Sequence, residues 1–587
     1  MGRTAAHDLV RLYCRGHRRD RFGLLPVAIL MRSGRFFSSR TIRSMRSRAT
    51  SGPDSSESAA VGDGTRTLWR PLRTPLFRNL LIADVMSDIG TFMQTVGAAW
   101  LMVSLGAGPM YVALTQTASA LPFFVFALPA GSIGDIVDRR RLILYTEFWM
   151  VGVATVLAVA TIFGFMSPWL LLLLTFALSA GDAMETPTWR AVLPEMVEKD
   201  DLTAASALNG IEFNLARAVG PALAGVVIAV AGVGAAFALN AVSFVGVIVL
   251  VARWKRPVRR RTTPPETLTG ATVAALRYVR FSPSIRVLML RSGLTMFFAS
   301  ALLALMPSLA RSISDSPTGY GVLLGCFGAG AVLGALTMQP ARARWSEEIV
   351  ASGGVAILGL TTAAAALLHT MVALAATMLV AGAAWIVFIS VMSALVQSLA
   401  PDWVRARVLS IFMLVFQGGL AAGSALAGAV AARAGIHHAL VWAGLGIVAT
   451  TALGLIAKLP DATTDVSPWN HWRMPAIVKD LRPELDEGPV LVTLEYRVNR
   501  ERSEEFLEAI HEYGRVRRRD GAYRWGVYRD LEDADRYVET FLIRSWAEHL
   551  RQHERSTKAD REVEDRLQTY VTGVPKVRHL VAAESDH

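Results

Sequence analysis

Cysteine is nearly absent: the 587 residues include two, Cys14 and Cys326. One lies in a basic leader and the other in an apolar run, which excludes a disulfide framework and a cysteine metal site. Charge is scarce as well, at 18% Asp, Glu, Lys and Arg, against about 25% in a soluble domain. No nucleophile sits beside a base, and no phosphate-cradling glycine loop or nucleotide-binding fingerprint occurs. No small-residue cleavage site follows the apolar stretch 24–31, itself too short to cross a bilayer. These gaps argue against an enzyme, a cofactor or a metal. What the chain has in excess is apolar length, since 52% of its residues are hydrophobic. The net charge of +12 does not point to nucleic acid, because the arginines gather in loops beside apolar runs, where membrane topology places them.

Twelve apolar runs are long enough to span a bilayer as helices, since about 20 residues at a 1.5 Å rise cover roughly 30 Å. They occupy 79–105, 110–133, 142–165, 168–190, 205–230, 235–253, 286–310, 319–339, 349–368, 372–397, 408–432 and 437–457. Alternate loops are short and almost free of cations. The others carry Arg139 to Arg141, Arg190, Lys199, Arg253 to Arg261, Arg342, Arg344, Arg405 and Arg407. By the positive-inside rule both termini face the cytoplasm of a multi-pass inner (plasma) membrane protein. The expected division is a basic tail over 1–66, a six-helix half over 67–253, a cytoplasmic loop over 254–285, and a second half over 286–459. A linker over 460–487 and a cytoplasmic domain over 488–587 complete it. The Arg-rich, acid-poor tail reads as disordered chain or an over-extended start, with a transit peptide as the alternative.

An internal echo supports two halves: Gly220-Pro-Ala-Leu-Ala-Gly225 in span 5 matches Gly423-Ser-Ala-Leu-Ala-Gly428 in span 11. Between spans 2 and 3 lies Gly131-Ser-Ile-Gly-Asp135-Ile-Val-Asp-Arg139-Arg140-Arg141. There the chain resembles the major facilitator superfamily, whose loop at that point reads G-x-L-x-D-x-x-G-R-[RK], although Asp138 stands where the family has Gly. The stretch around Asn214-Leu-Ala-Arg217-Ala-Val-Gly220-Pro221-Ala-Leu-Ala-Gly225 resembles the span-5 motif of that superfamily's exporters. The segments 87–94, 193–195 and 208–209 are similar to the enterobactin exporter branch, which includes secretion effectors. The resemblance implies two six-helix halves with a substrate cavity near the midplane, alternating access, and proton-coupled antiport that drives efflux of a drug or siderophore. It further implies a gate at Gly131, Asp135, Arg139 and Arg140, with Arg190 as partner for Asp135.

Ionisable residues inside spans are the sharpest chemical signal. A lone charge at mid-bilayer costs about 2.5–3.5 kcal/mol, so such groups face a wet cavity or a partner. Asp84 and Asp88 share one face of span 1, Asp182 and Glu185 lie on span 4, and Glu212 and Arg217 on span 5. As proton couplers or cavity walls they form the candidate site, while Asp84 and Glu212 also fit an idle, solvated boundary position.

Past Pro460 the pattern becomes strand 490–498, helix 502–518, strands 523–528 and 537–543, helix 546–570 and strand 577–581. That β-α-β-β-α-β order predicts an α+β ferredoxin-like domain. It resembles the dimeric α/β-barrel domains of antibiotic biosynthesis monooxygenases, which implies a homodimer through this domain. His549 and His553 are one turn apart, but without a third ligand the charge-rich helix reads as a solvated face. The expected whole is an all-α membrane protein of twelve transmembrane helices in two halves, with this domain appended. Its partners are a small amphipathic molecule, the lipid bilayer and protons. A membrane-anchored cofactor-free monooxygenase and an importer stand as alternatives.

Overall fold

The computed structural model describes residues 68–136, 138–254, 268–314, 316–460, 464–469, 484 and 487–582. The tail expected over 1–66 therefore lies outside the described residues, as do the arginines of 255–261 and most of the linker. The first half comprises α1 (Pro75–Ser104), α2 (Pro109–Ile136), α3 (Arg139–Ile162), α4 (Pro168–Met196), α5 (Leu202–Ala231) and α6 (Val233–Arg253). A shorter helix, α7 (Leu268–Phe281), follows. The second half comprises α8 (Pro283–Ile313), α9 (Pro317–Arg344), α10 (Glu347–Ala365), α11 (Met371–Leu399), α12 (Arg405–Ala434), α13 (Ile436–Thr451) and its short continuation α14 (Leu453–Ile456). Ten of these helical segments are long and apolar enough to cross a membrane, α13 and α14 counting as one. They do not include α1, which carries Arg78, Asp84, Asp88 and Gln94, or α2, part of whose side chains lies outside the described set. Both have spanning length, at 30 and 28 residues.

Local chemistry sets the helix ends. Pro75, Pro168, Pro283 and Pro317 open their helices, where a missing N–H costs nothing. Ser167 and Ser346 accept hydrogen bonds from Leu170 N and Ile349 N at the starts of α4 and α10, satisfying amides that have no partner within the helix. At the end of the bundle away from the C-terminal domain, Gly106, Gly164, Gly232 and Gly435 take positive φ between consecutive helices. Side chains rarely adopt that conformation, so these four hairpins need glycine.

The halves meet mainly along two seams, α2 against α12 and α5 against α9. The echoed motif lies on both of them. A Cβ on Gly220 would meet Phe92 of α1 at 2.6 Å, and a Cβ on Gly423 would strike Phe297 of α8. Each half's fifth helix thus packs on its own first helix. A Cβ on Gly225 would lie 3.4 Å from Gly321 Cα on α9, and one on Gly428 would lie 2.6 Å from Ala113 Cβ on α2. The last glycine of each motif therefore touches the opposite half. Thr117 Oγ1 donates to Ala421 O at 3.1 Å and lies 3.3 Å from Ser424 Oγ, adding polar contacts on the α2–α12 seam.

An ion pair joins α8 to α10 in the second half. Arg291 of α8 is 3% exposed and grips Glu348 of α10 through two hydrogen bonds of 2.7 and 2.8 Å. Glu348 also accepts from Leu459 N at 2.7 Å and from Ser352 Oγ at 2.6 Å. Arg291→Ala would leave that half-buried carboxylate without its cation, held only by Leu459 N and Ser352 Oγ. Loss on the order of 3 kcal/mol is expected, read as a lowered Tm of the purified protein. A Tm equal to wild type would contradict the assignment.

The C-terminal domain runs β1 (Val490–Arg497), α15 (Ser503–Asp520), β2 (Arg524–Arg529), β3 (Arg536–Ile543), α16 (Trp546–Glu554), α17 (Lys558–Gln568) and β4 (Lys576–Val581). The sheet order is β2-β3-β1-β4 with every neighbouring pair antiparallel, the ferredoxin-like arrangement. The helix expected over 546–570 is broken in two, because Thr557 and Asp560 form a reciprocal cap that starts α17 afresh. Alternate residues Val490, Val492, Leu494 and Tyr496 of β1 and Tyr537, Glu539, Phe541 and Ile543 of β3 point under the helices. Buried Glu539 accepts from Tyr496 Oη and Trp525 Nε1, both at 2.8 Å, with Arg517 at 3.6 Å.

The expected solvated face at His549 is not found. His549 is 1% exposed, with its ring 4.9 Å from His579 and 5.2 Å from Trp546. Burial, reinforced by His579 and Arg517, pushes its imidazole down to about 3. The unfolded chain takes up this proton near pH 6.5, so stability from neutral His549 is complete above that pH. It is lost as pH falls from 6.5 towards 3. Asp520, raised by burial to about 6, acts in the opposite sense, its contribution fading as pH rises through 6. Wild type should therefore lose Tm more steeply below pH 6.5 than His549→Phe does. Parallel profiles would refute this.

Candidate substrate and proton site

The carboxylates picked out in the sequence converge in the first half. α1 brings Asp84 and Asp88, α4 brings Asp182 and Glu185, and α5 brings Glu212, because α1 packs on α5 and α4 touches both. Asp84 neighbours Asp88, Glu212 and Glu185, and Asp88 lies beside Asp182 and within hydrogen-bond reach of Glu212. Trp189 Nε1 donates to Asp84 at 3.1 Å, Thr146 Oγ1 to Glu185 at 2.8 Å and Thr186 Oγ1 to Asp182 at 3.2 Å. Glu212 is 3% exposed, which is not a solvated position, while Asp84 is half-buried.

Sequence reasoning missed Glu147 of α3. It is 2% exposed and lies within hydrogen-bond reach of Glu185. Its signal was the same as that of the others, an acid inside an apolar run. One oxygen each of Glu147 and Glu212 is buried without a hydrogen-bond partner among the described residues. Among the described residues, no ion pair joins Asp84, Asp88, Glu147, Glu185 or Glu212 to a lysine or arginine. Arg217 of α5 does not join the cluster. Its guanidinium stands 5.6 Å over the Phe213 ring, one turn away.

The residues expected at the gate separate into two groups. Arg139 pairs with Glu195 of α4 at 2.9 Å, and Arg140 Nε donates to Val251 O at 3.0 Å at the end of α6. These arginines tie α3 to its neighbours at the end of the bundle that carries the C-terminal domain. Gly131 and Asp135 lie on the last turns of α2, but their side chains, and that of Arg190, fall outside the described residues. Gly220, Pro221 and Gly225 sit on α5 at the contacts given above, with Pro221 inside the helix.

The C-terminal domain reaches the bundle through α7, which sequence reasoning left as loop. Arg277 donates to Arg519 O at 3.1 Å and to Glu548 Oε1 at 3.0 Å. Tyr278 donates to Leu399 O at 3.1 Å at the end of α11, and the Arg555 guanidinium covers Trp403 at 4.6 Å. Helix α7 thus bridges the domain to the second half.

The family model described as "Transmembrane secretion effector" matches residues 66–587. The staphyloferrin A transporter of Staphylococcus aureus is 27% identical over 27% of this chain, which spans only 40% of that relative's length. The multidrug efflux pump Tap of Mycolicibacterium fortuitum is 25% identical, covering 64% of this chain and 94% of its own. The enterobactin exporter EntS of Salmonella typhimurium is 26% identical over 45% of this chain and 63% of its own. Among solved structures, a bacterial homolog of the human lysosomal transporter Spinster, in an inward-facing and unoccupied conformation, aligns with a TM-score of 0.52. At 14% identity over 66% of this chain and 96% of that one, it shows the likeness of fold.

Proposed function

The chain belongs to the transmembrane secretion effector family of the major facilitator superfamily, and from that premise we propose that it is a proton-coupled exporter of an amphipathic small molecule. It is a multi-pass membrane transporter by family, and we read it as neither enzyme nor importer. Residues 67–253 and 286–459 serve as the two halves, and they rock about their seams to expose the cavity to each side in turn. The membrane is the inner (plasma) membrane and both termini are cytoplasmic, in keeping with the arginine-rich loops. A drug or siderophore fits the names of the relatives.

One observation carries the coupling: the carboxylates of α1, α3, α4 and α5 crowd together, Glu147, Glu185 and Glu212 among them buried, and among the described residues no cation pairs with Asp84, Asp88, Glu147, Glu185 or Glu212. Carboxyls this close repel when ionised, and a proton relieves the repulsion. Asp88 and Glu212 can take up protons from outside as cargo leaves the outward-facing cavity, and release them to the cytoplasm as new cargo binds to the inward-facing one. Everted vesicles test this. Dye uptake that responds to an imposed pH gradient supports it, and gradient-independent uptake rejects it.

The domain over 488–587 serves as a dimerisation or regulatory module rather than a working monooxygenase. Leu491, Leu542 and Leu580 stand side by side on the sheet face away from the helices, which suits a second copy of the same domain. Sedimentation showing one chain per particle would remove the dimer.

A further inference from the structure

We propose that the face of α11 bearing Ser390, Ser393 and Gln397, with Arg405 at its mouth, binds an anionic oxygen group, such as a carboxylate, on the transported molecule. This rests on the transporter reading and adds a substrate class to it. Together with α6, α11 is the most apolar of the ten spans, yet these three polar residues recur at i, i+3 and i+7, on one helix face. The opposite face, with Val391, Met392, Leu395 and Val396, is buried against neighbouring helices. The polar face lines a wide-open cleft of about 570 Å³ together with Ala394, Ser398 and Arg405. An amide facing lipid would forfeit its hydrogen bonds. In a wet cavity, hydroxyls and an amide can donate to a ligand's oxygens.

Arg405 supplies the charge. It is the first residue of α12, and its Nε donates to Ala400 O at 3.0 Å. Its guanidinium also meets Asp402 at 2.7 Å, but that carboxylate is 72% exposed. Such a solvent-exposed pair holds weakly, so a carboxylate seated in the cavity can compete for the planar fork. The wall on the second half is thus hydroxylic and basic. The first half gathers carboxylates. A molecule with an anionic oxygen group is attracted to the basic wall, where a cationic one is not.

The test uses the full chain in lipid nanodiscs and two fluorescent probes of the same ring system, dansylglycine (carboxylate) and dansylcadaverine (ammonium). Dansylglycine should bind about tenfold more tightly. Arg405→Gln should erase the preference, Arg405→Lys should keep part of it, and Ser393→Val with Gln397→Leu should weaken dansylglycine binding alone. No binding, equal binding, a preference for the amine, or a preference unchanged in Arg405→Gln would each overturn the proposal. A carboxylate preference that persists in a protein showing no gradient-driven transport would sink the exporter reading and leave this site standing.

Discussion

Replacing Asp88 with Asn should reduce gradient-driven transport more than tenfold, to the level of membranes lacking the protein, at unchanged expression. Asn keeps the size and the hydrogen-bonding shape but cannot take up or release a proton. Asp88 stands where three helices meet, one turn from Asp84 on α1, within reach of Glu212 on α5 and beside Asp182 on α4. A proton arriving at any of these groups alters the repulsion felt by the rest. Glu212→Gln should slow transport less, because Asp88 can still exchange a proton. Exchange of labelled for unlabelled dye, which needs no net proton movement, should survive in both variants. If Asp88→Asn drives uptake at the wild-type rate, the cluster is not the coupling site.

Gly330→Val should leave almost no folded protein. Helices α9 and α11 pack so closely at Gly330 that any Cβ there would run into the Leu379 backbone. On the facing helix α11, a Cβ at Gly382 would run into the Phe327 backbone, and one turn along α9 from Gly330, a Cβ at Gly334 would lie 2.6 Å from Ala383 O. With both partners backbone, no side-chain rotation relieves the clash, so the helices must part along the seam. In lipid, close packing of small residues is itself the main attraction between helices. Gel filtration should show the monodisperse peak replaced by aggregate. Gly353→Val, at a position where a Cβ meets nothing within 4 Å, should behave as wild type. A monodisperse Gly330→Val peak would show that the seam is looser than described.

The apolar runs and the carboxylates within them were legible because a charge in a spanning helix stands out against its surroundings. The echoed glycine motif was legible as a repeat, and its meaning became clear when Gly225 and Gly428 proved to sit on equivalent seams. Glu147 went unread because it lies near the arginine-rich start of α3, where an acid looks like a solvated boundary residue; packing against α4 buries it. Arg291 and Glu348 are 57 positions apart, and no local pattern joins them. Helix α7 is too short to span and sits in polar sequence, so its fold depends on the surfaces of α15 and α12 that cover it. The cap at Thr557-Lys-Ala-Asp560 was written in the chain, but the run of charged helix formers around it hid the break.

The central claim is that cargo moves outward in exchange for protons moving inward. Proton movement in everted vesicles tests it most directly, with a pH-reporting dye and a panel of carboxylate and amine fluorophores offered as cargo. At least one fluorophore should collapse an imposed gradient through the wild-type protein and none through Asp88→Asn. A fluorophore that the wild type still accumulates after nigericin has abolished the gradient would contradict the account.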